Sequence, residues 1–361
     1  MMPGSKTMGN SFEQSIRPIL NGEKRGPFAA IVRGGLRVAE IPYTSIVKAR
    51  NAFYERQILK SHRLARPVIS VGNITTGGTG KTPVVRWLAD SLRDHRPAIL
   101  LRGYKSANNI SDEQMLLQEQ LPDVPVIARP SRIRGAAAAL AQQSDTGLFI
   151  LDDGMQHRKI ARDFELVLID ATNPFGYGHV LPRGFLREPL SGLARASAFL
   201  ITRANQSDDA NLQKIRAILA QHNSQAPVYH ADHVLKNIRQ NEQLLPLESF
   251  RNKRFFLFCG IGNPSALKNQ LSGLGLNIVS SQFFPDHHIY TESELSELAQ
   301  NINNAIADLL LTTEKDWTKI APLDHALSAK ICRTELSLTF HDEDEAKLLE
   351  LVRLSISRPS R

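Results

Sequence analysis

The residues best equipped for chemistry lie in SVGNITTGGTGKTP, positions 70–83. Thr75, Thr76, Gly77, Gly78, Thr79, Gly80, Lys81 and Thr82 have the make-up of a loop that cradles phosphate. Glycines let backbone N–H groups converge on phosphate oxygens, and a helix opening at the loop's end adds the positive end of its dipole. In such a loop Lys81 reaches the β- and γ-phosphates of a nucleotide and the Thr82 hydroxyl holds Mg²⁺. The usual spacing, G-x-x-x-x-G-K-[ST], asks for a glycine where this chain has Thr75. Gly77 and Gly78 are left to supply the tight turn and the close backbone approach.

A phosphate loop also needs a carboxylate at the end of a neighbouring strand to order the metal shell. GLFILDD (147–153) offers Asp152 and Asp153, although a solvated pair in a turn would read the same. DDGMQH then adds Gln156 and His157 just past the strand end, where open α/β sheets bind ligands. Phosphorylation of a hydroxyl needs a base on the acceptor. SDEQMLL places Asp112 and Glu113 at a helix start, after a strand that ends in LLRGYK and carries Arg102. Asp112 could equally serve as that helix's cap. FFPDHHIYT (283–291) gives Asp286, His287 and His288, which fit either weak metal ligands or a His that polarises a carboxylate. Arg183 and Arg187 sit on a loop punctuated by Gly and Pro, GYGHVLPRGFLREPLSGL (176–193). Their guanidinium groups suit an anionic substrate group or the transferred phosphate, or else are simply solvated.

These groups need rigid elements behind them. From residue 67 apolar runs alternate with helical segments, the pattern of a parallel sheet covered by helices. Strands are expected over 67–73, 98–103, 125–128, 147–153, 165–170 and 198–203, with helices over 81–93, 112–120, 131–143 and 208–222. A second cycle starts at RFFLFCGIGNP (254–264) and continues through 276–284, a helix at 292–304 and a strand at 308–313. The segments 227–238 and 329–340 flank that cycle and are expected to pair as a two-stranded ribbon. A helix over 343–354 would then return to the first domain. The expected organisation is α/β: a basic segment, 1–66; a P-loop NTPase-type domain with a parallel sheet, 67–226; a two-stranded linker, 227–241 and 329–340; a smaller α/β domain, 242–328; and a C-terminal helix, 341–361.

The formal charge of +8 is confined to one end. Residues 1–66 hold 12 Lys/Arg against 4 Asp/Glu, and the rest of the chain holds 32 of each. A nucleic-acid enzyme would spread such charge around its cleft, so no nucleic-acid partner is expected. The basic stretch has no apolar run approaching the ~20 residues that cross a bilayer. Over 41–60, however, Tyr43, Ile46, Val47, Phe53, Tyr54 and Ile58 recur at helical spacing, flanked by Lys48, Arg50, Arg56 and Lys60. A helix of that kind either lies in a lipid headgroup layer or packs on the next domain. Cys259 and Cys332 lie in apolar surroundings, which suggests buried thiols in a reducing compartment.

In their order along the chain, SVGNITTGGTGKTP, RGYK, SDEQ, DDGMQH, GHVLPRGFLREP, CGIGNP, FFPDHHIYT and TTEKD closely resemble the tetraacyldisaccharide 4′-kinases, the lipid A 4′-kinases of Gram-negative outer-membrane synthesis. That family likewise carries a non-glycine where Thr75 stands. The resemblance covers about residues 40–340. It implies ATP and Mg²⁺ as cofactors, and γ-phosphate transfer to the 4′-hydroxyl of an acylated glucosamine disaccharide 1-phosphate. It also implies two α/β domains joined by a two-stranded linker, and a peripheral protein on the cytoplasmic face of the bacterial inner membrane. Carried over by motif, Asp112 is the catalytic base and His287 its partner from the second domain. Lys81 and Thr82 match the phosphate and Mg²⁺ ligands, Asp152 and Asp153 the paired metal carboxylates, with Glu113 beside them. Domain closure would assemble the Asp–His pair and exclude water. The competing reading is a P-loop ATPase switch controlling membrane association or assembly; Thr76 stands where many such switches carry a second lysine.

Overall fold

A computed structural model describes residues 18–76, 79–103, 111–262, 264–286, 288–323 and 328–357. Gly77, Gly78 and His287, which the sequence singles out, lie outside the described residues. The chain divides into a larger unit, Ser15–His233 with Leu338–Arg361, and a smaller unit that holds Val234–Ser337.

The larger unit opens with a long helix, α1 (Pro27–Glu55), whose first position is a proline with φ already suited to a helix. Then come β1 (Val68–Asn73), α2 (Lys81–Ser91), β2 (Pro97–Arg102), α3 (Asp112–Gln120), β3 (Val126–Arg129), α4 (Arg132–Gln142), β4 (Leu148–Asp152), β5 (Phe164–Asp170), β6 (Ala198–Thr202), α5 (Asp209–His222) and the start of β7 (Val228–Gln240). The strands lie in the order β7-β6-β5-β1-β4-β2-β3, and their pairings are parallel. Such strands are covered on both faces, which explains their unbroken apolar runs: every residue of β1, β4 and β5 is buried. Ile69, Leu88, Ile99, Phe164 and Leu200 pack in one core cluster. Each such side chain stabilises by about 1.5–3 kcal/mol on burial. β1 lies between β4 and β5, so the loop leaving it opens at the switch in strand order, where ligands bind in such sheets.

The smaller unit takes the rest of β7 and adds β8 (Gln243–Pro246), β9 (Arg254–Cys259), α6 (Pro264–Gly273), β10 (Asn277–Phe283), α7 (Glu292–Asn304), β11 (Leu309–Thr313), α8 (Glu314–Ile320) and β12 (Ile331–Phe340). Its strand order is β10-β9-β11-β12-β7, with β8 antiparallel to β7. Phe255 and Leu257 feed one core face, Phe256 and Phe258 the other, as period-two alternation requires. A capping box between Thr291 and Glu294 fixes the start of α7. The last helix, α9 (Asp344–Ser357), packs Leu348, Val352 and Ile356 into the larger unit's core. Cys259 and Cys332 are free and buried, and burial pushes both thiols up to about 12, so neither is a nucleophile at neutral pH.

Helix α1 corrects one expectation. It runs over Pro27–Glu55, not 41–60, and the apolar residues grouped on one face divide between two. Tyr43, Val47 and Tyr54 turn toward the protein, whereas Ile46 (70% exposed) and Phe53 (44%) point outward. At about 100° per residue these two sets occupy neighbouring sectors of the helix. The exposed sector continues through Phe28, Ile31 and Val38. Ile58 lies beyond the helix end. Among the described residues no helix is long and apolar enough to cross a membrane.

Candidate active site

The phosphate-type loop joins β1 to α2. Thr75 is buried, pairs as an isolated bridge with Leu186, and is not among the residues with positive φ. Its carbonyl accepts from Asn73 Nδ2 at 2.8 Å. A glycine is therefore not needed there, because the backbone at that point behaves as a strand edge. Thr76 continues the contact, donating N–H to Phe185 O at 2.7 Å. Gly80 differs: its φ is +76°, and a Cβ built on it would lie 2.1 Å from the His233 ring. Only glycine meets both demands. Thr79 is buried, and Thr82 follows Lys81 in the first turn of α2.

Lys81 Nζ donates to Asn73 Oδ1 at 3.2 Å and pairs with Asp153 Oδ1 at 3.4 Å. Asp153 also takes Arg187 Nη1 at 2.7 and 2.8 Å, and the same nitrogen donates to Gln156 Oε1 at 3.3 Å. Burial alone would raise the Asp153 pKa, but Lys81 and Arg187 together outweigh it and hold the carboxyl below its ordinary value. Asp152 is the opposite case. Burial first, then the charge of Glu113, push it up to about 7, although Lys81 works the other way. Its Oδ1 is buried with no hydrogen-bond partner among the described residues. Glu113, on the first turn of α3, thus stands close enough for its charge to reach Asp152. No group of three or more His, Cys, Asp or Glu forms a ready-made metal cluster among the described residues. An orphaned buried carboxylate oxygen nonetheless fits a hard cation that takes only one or two protein ligands and finds the rest on phosphates.

Asp112 opens α3, but it is not the cap. Ser111 takes that place, its hydroxyl accepting from Gln114 N at 3.1 Å. His157 is held down at about 4, mainly by burial and then by Arg132, Arg162, Lys159 and Arg102, so it is neutral at pH 7. Arg102 therefore belongs to the surroundings of His157. Arg183 does not join Arg187: it donates to Leu20 O at 3.1 Å, anchoring the segment before α1. His288, in the smaller unit, gives Nε2 to Glu294 Oε1 at 3.0 Å and stacks on Phe284 at 4.7 Å.

Several polar residues that hold this site were not singled out in the sequence. Glu188 is fully buried and gathers Asn51 of α1 (2.9 Å), Gln156 (3.1 Å) and Arg195 (2.8 Å). It thereby fixes both the Gln156 amide and the docking of α1. Buried Arg132 donates to Asp152 O at 2.8 Å, clamping the turn after β4. A glutamate following Arg187 in a loop gave no hint of full burial. Arg132, at the start of a helix, looked equally ordinary.

Residues 33–353 match the family model for tetraacyldisaccharide-1-P 4'-kinase. A tetraacyldisaccharide 4'-kinase of Anaeromyxobacter sp. (strain Fw109-5) is 35% identical over 336 residues, 87% of this chain and 90% of that protein. The one from Halothermothrix orenii is 32% identical over 362 residues, 89% of this chain and 94% of its own. A crystal structure of an "apo" form LpxK from Aquifex aeolicus in complex with ATP superposes with a TM-score of 0.74 at 28% identity. That match covers 90% of this chain and 99% of the other. With the match running through both units, the chain belongs to the tetraacyldisaccharide-1-P 4'-kinase family.

Proposed function

We propose that this enzyme transfers the γ-phosphate of ATP to the 4′-hydroxyl of tetraacyldisaccharide 1-phosphate, a step of lipid A biosynthesis. The observation that carries the reading is the meeting of Lys81 with the Asp153–Arg187 pair at the end of β4, beside Asp152 and Glu113. Cations and carboxylates so arranged suit a chemistry in which most of the catalysis is positioning and charge stabilisation.

In this reading residues 75–82 wrap the ATP phosphates. Lys81 and Arg187 offset the charge on the transferred group, and Asp153 orients both cations. Thr82 and Asp152 are the residues that would hold Mg²⁺, with Asp153 and Glu113 beside them, and the ion when bound would neutralise charge on the phosphates. Asp112 accepts the proton of the 4′-hydroxyl as its oxygen attacks phosphorus. Because Ser111 supplies the helix cap, the Asp112 carboxylate is not needed for that task. His287 is proposed as the group that polarises Asp112; the commitment of His288 Nε2 to Glu294 favours His287 over its neighbour. Gln156, neutral His157 and Arg102 are proposed to face the sugar and its phosphate. Arg183, tied to Leu20, is assigned to structure instead.

A lipid acceptor has to be met at a membrane. Helix α1 exposes Phe28, Ile31, Val38, Ile46 and Phe53, with Arg37, Lys48 and Arg56 also on its surface. Such a face supports peripheral binding to an anionic headgroup layer, here the cytoplasmic side of the inner membrane. The test is to incubate the enzyme with ATP, Mg²⁺ and the disaccharide 1-phosphate in detergent micelles and to record ³¹P spectra. A new phosphomonoester on the 4′-oxygen is expected. Conversion of ATP to ADP with no new lipid signal would overturn the reading.

A further inference from the structure

We infer that Thr202 and His233 are positioning residues that aim two backbone donors of the phosphate loop; the inference rests on the ATP site proposed above. Thr202, the last residue of β6, donates its hydroxyl to Thr79 O at 3.3 Å. On β7, His233 Nε2 lies 3.2 Å from Gly80 O. A carbonyl has no proton to give, so Nε2 carries the proton and donates it.

The two carbonyls belong to successive peptides, Thr79–Gly80 and Gly80–Lys81. In a trans peptide the C=O and the following N–H point in opposite directions. Holding both oxygens toward β6 and β7 therefore turns the N–H groups of Gly80 and Lys81 the other way, to the opposite side of the loop. N–H groups at this place, where a loop becomes a helix, are the ones a phosphate uses. Both side chains are buried, Thr202 completely and His233 to 6% exposure, so water does not compete for the two carbonyls. The His233 ring also crowds Gly80, leaving no room for a side chain there.

Arg203, Asp170 and Asp232 carry the charges around the ring, and Arg203 is itself paired with Asp170. Burial holds the imidazole below its ordinary pKa, which favours the neutral ring with its proton on Nε2, while Nδ1 has no hydrogen-bond partner among the described residues. Val234, the next residue, begins the smaller unit, so the ring also joins the phosphate loop to the strand that leads there.

The test uses the full chain and two pairs of variants. His233→Leu and Thr202→Val keep the bulk and remove the donor, whereas His233→Gln and Thr202→Ser keep a donor. ATP affinity by calorimetry, and KM for ATP and for the lipid, are read on each, with melting temperatures to verify folding. Losing a buried hydrogen bond to a carbonyl should weaken ATP binding about tenfold in the Leu and Val variants. KM for the lipid should not move, and the Gln and Ser variants should recover to within about threefold. Wild-type ATP affinity in the Leu and Val variants would overturn the inference while leaving the kinase reading intact. So would Gln and Ser variants that melt normally yet bind ATP as weakly as Leu and Val. Failure of the unaltered enzyme to bind ATP would remove the kinase reading and this inference together.

Discussion

Lys81 Nζ and Asp153 Oδ1 stand 3.4 Å apart, joining the first helical residue after the phosphate loop to the turn at the end of β4. Asp153 holds that position in the left-handed region, φ +51°, which is uncommon for a residue other than glycine. Arg187 completes the arrangement from a loop more than thirty residues away in sequence.

The proposed roles of Lys81 and Asp112 separate in a binding measurement. Asp112→Ala should lower turnover about 10²–10⁴-fold, the usual worth of a general base, and leave ATP affinity nearly unchanged. Lys81→Ala should weaken ATP binding itself. Equal and small losses in both would contradict the assignment.

Glu188 is the carboxylate on which α1 depends. With Asn51, Gln156 and Arg195 converging on it, Glu188→Ala strands three half-buried donors, one of them a cation, at a cost of about 1–3 kcal/mol. A melting temperature that drops by several degrees is expected. An unchanged one would show that these contacts hold nothing.

The exposed sector of α1 should bind lipid without stabilising the fold. Ile46→Glu and Val38→Glu each remove apolar contact worth about 1.5–3 kcal/mol at an interface. Sedimentation with anionic vesicles should fall at least tenfold for the pair, with the melting temperature unchanged. Tyr43→Ala should do the reverse, because Tyr43 packs on the larger unit and donates its hydroxyl to Arg187 O at 3.1 Å. Vesicle binding that survives both glutamates would move the membrane face elsewhere.

His157 gives the acid limb a defined sign. Its pKa falls from 6.5 to about 4 on folding. Between those values the unfolded chain binds more protons than the folded one, so stability drops as pH falls through that window and levels off below it. The side chain is only about half buried, and solvent screening trims the contribution to about 1–2 kcal/mol. Melting curves from pH 7 to 4.5 should show a steeper decline for the unaltered protein than for His157→Gln. Parallel declines would contradict the account.

Much of the sheet could be read from the chain because its strands are buried on both faces. β1, β4, β5 and β9 appear as short apolar runs ended by Gly, Asp or Asn, and α3 spans the residues that its Ser-Asp-Glu start and apolar spacing mark out. Helix α1 starts earlier than the 41–60 spacing suggests because Gly34 and Gly35 look like breakers, yet the helix passes through them. Helix α8 has only seven residues, too few to show a period, and α6 carries a weak apolar face. At the site, the contact between Lys81 and the aspartate pair could be anticipated because each stretch carries a local spacing signal. The contacts of Glu188, Thr202 and His233 could not. Asn51, Thr79 and Gly80, which they contact, lie 137, 123 and 153 residues away, and no local pattern distinguishes a buried polar residue from an exposed one.

The central claim is that ATP is consumed only to phosphorylate a lipid hydroxyl. The most direct measurement follows γ-labelled ATP with Mg²⁺, with and without the disaccharide 1-phosphate in micelles, counting label in lipid against ADP formed. The account predicts one label on the 4′-oxygen for each ADP, and negligible ADP without lipid. ATP turnover that proceeds without lipid and leaves no label in it would contradict the account and favour a nucleotide-driven switch.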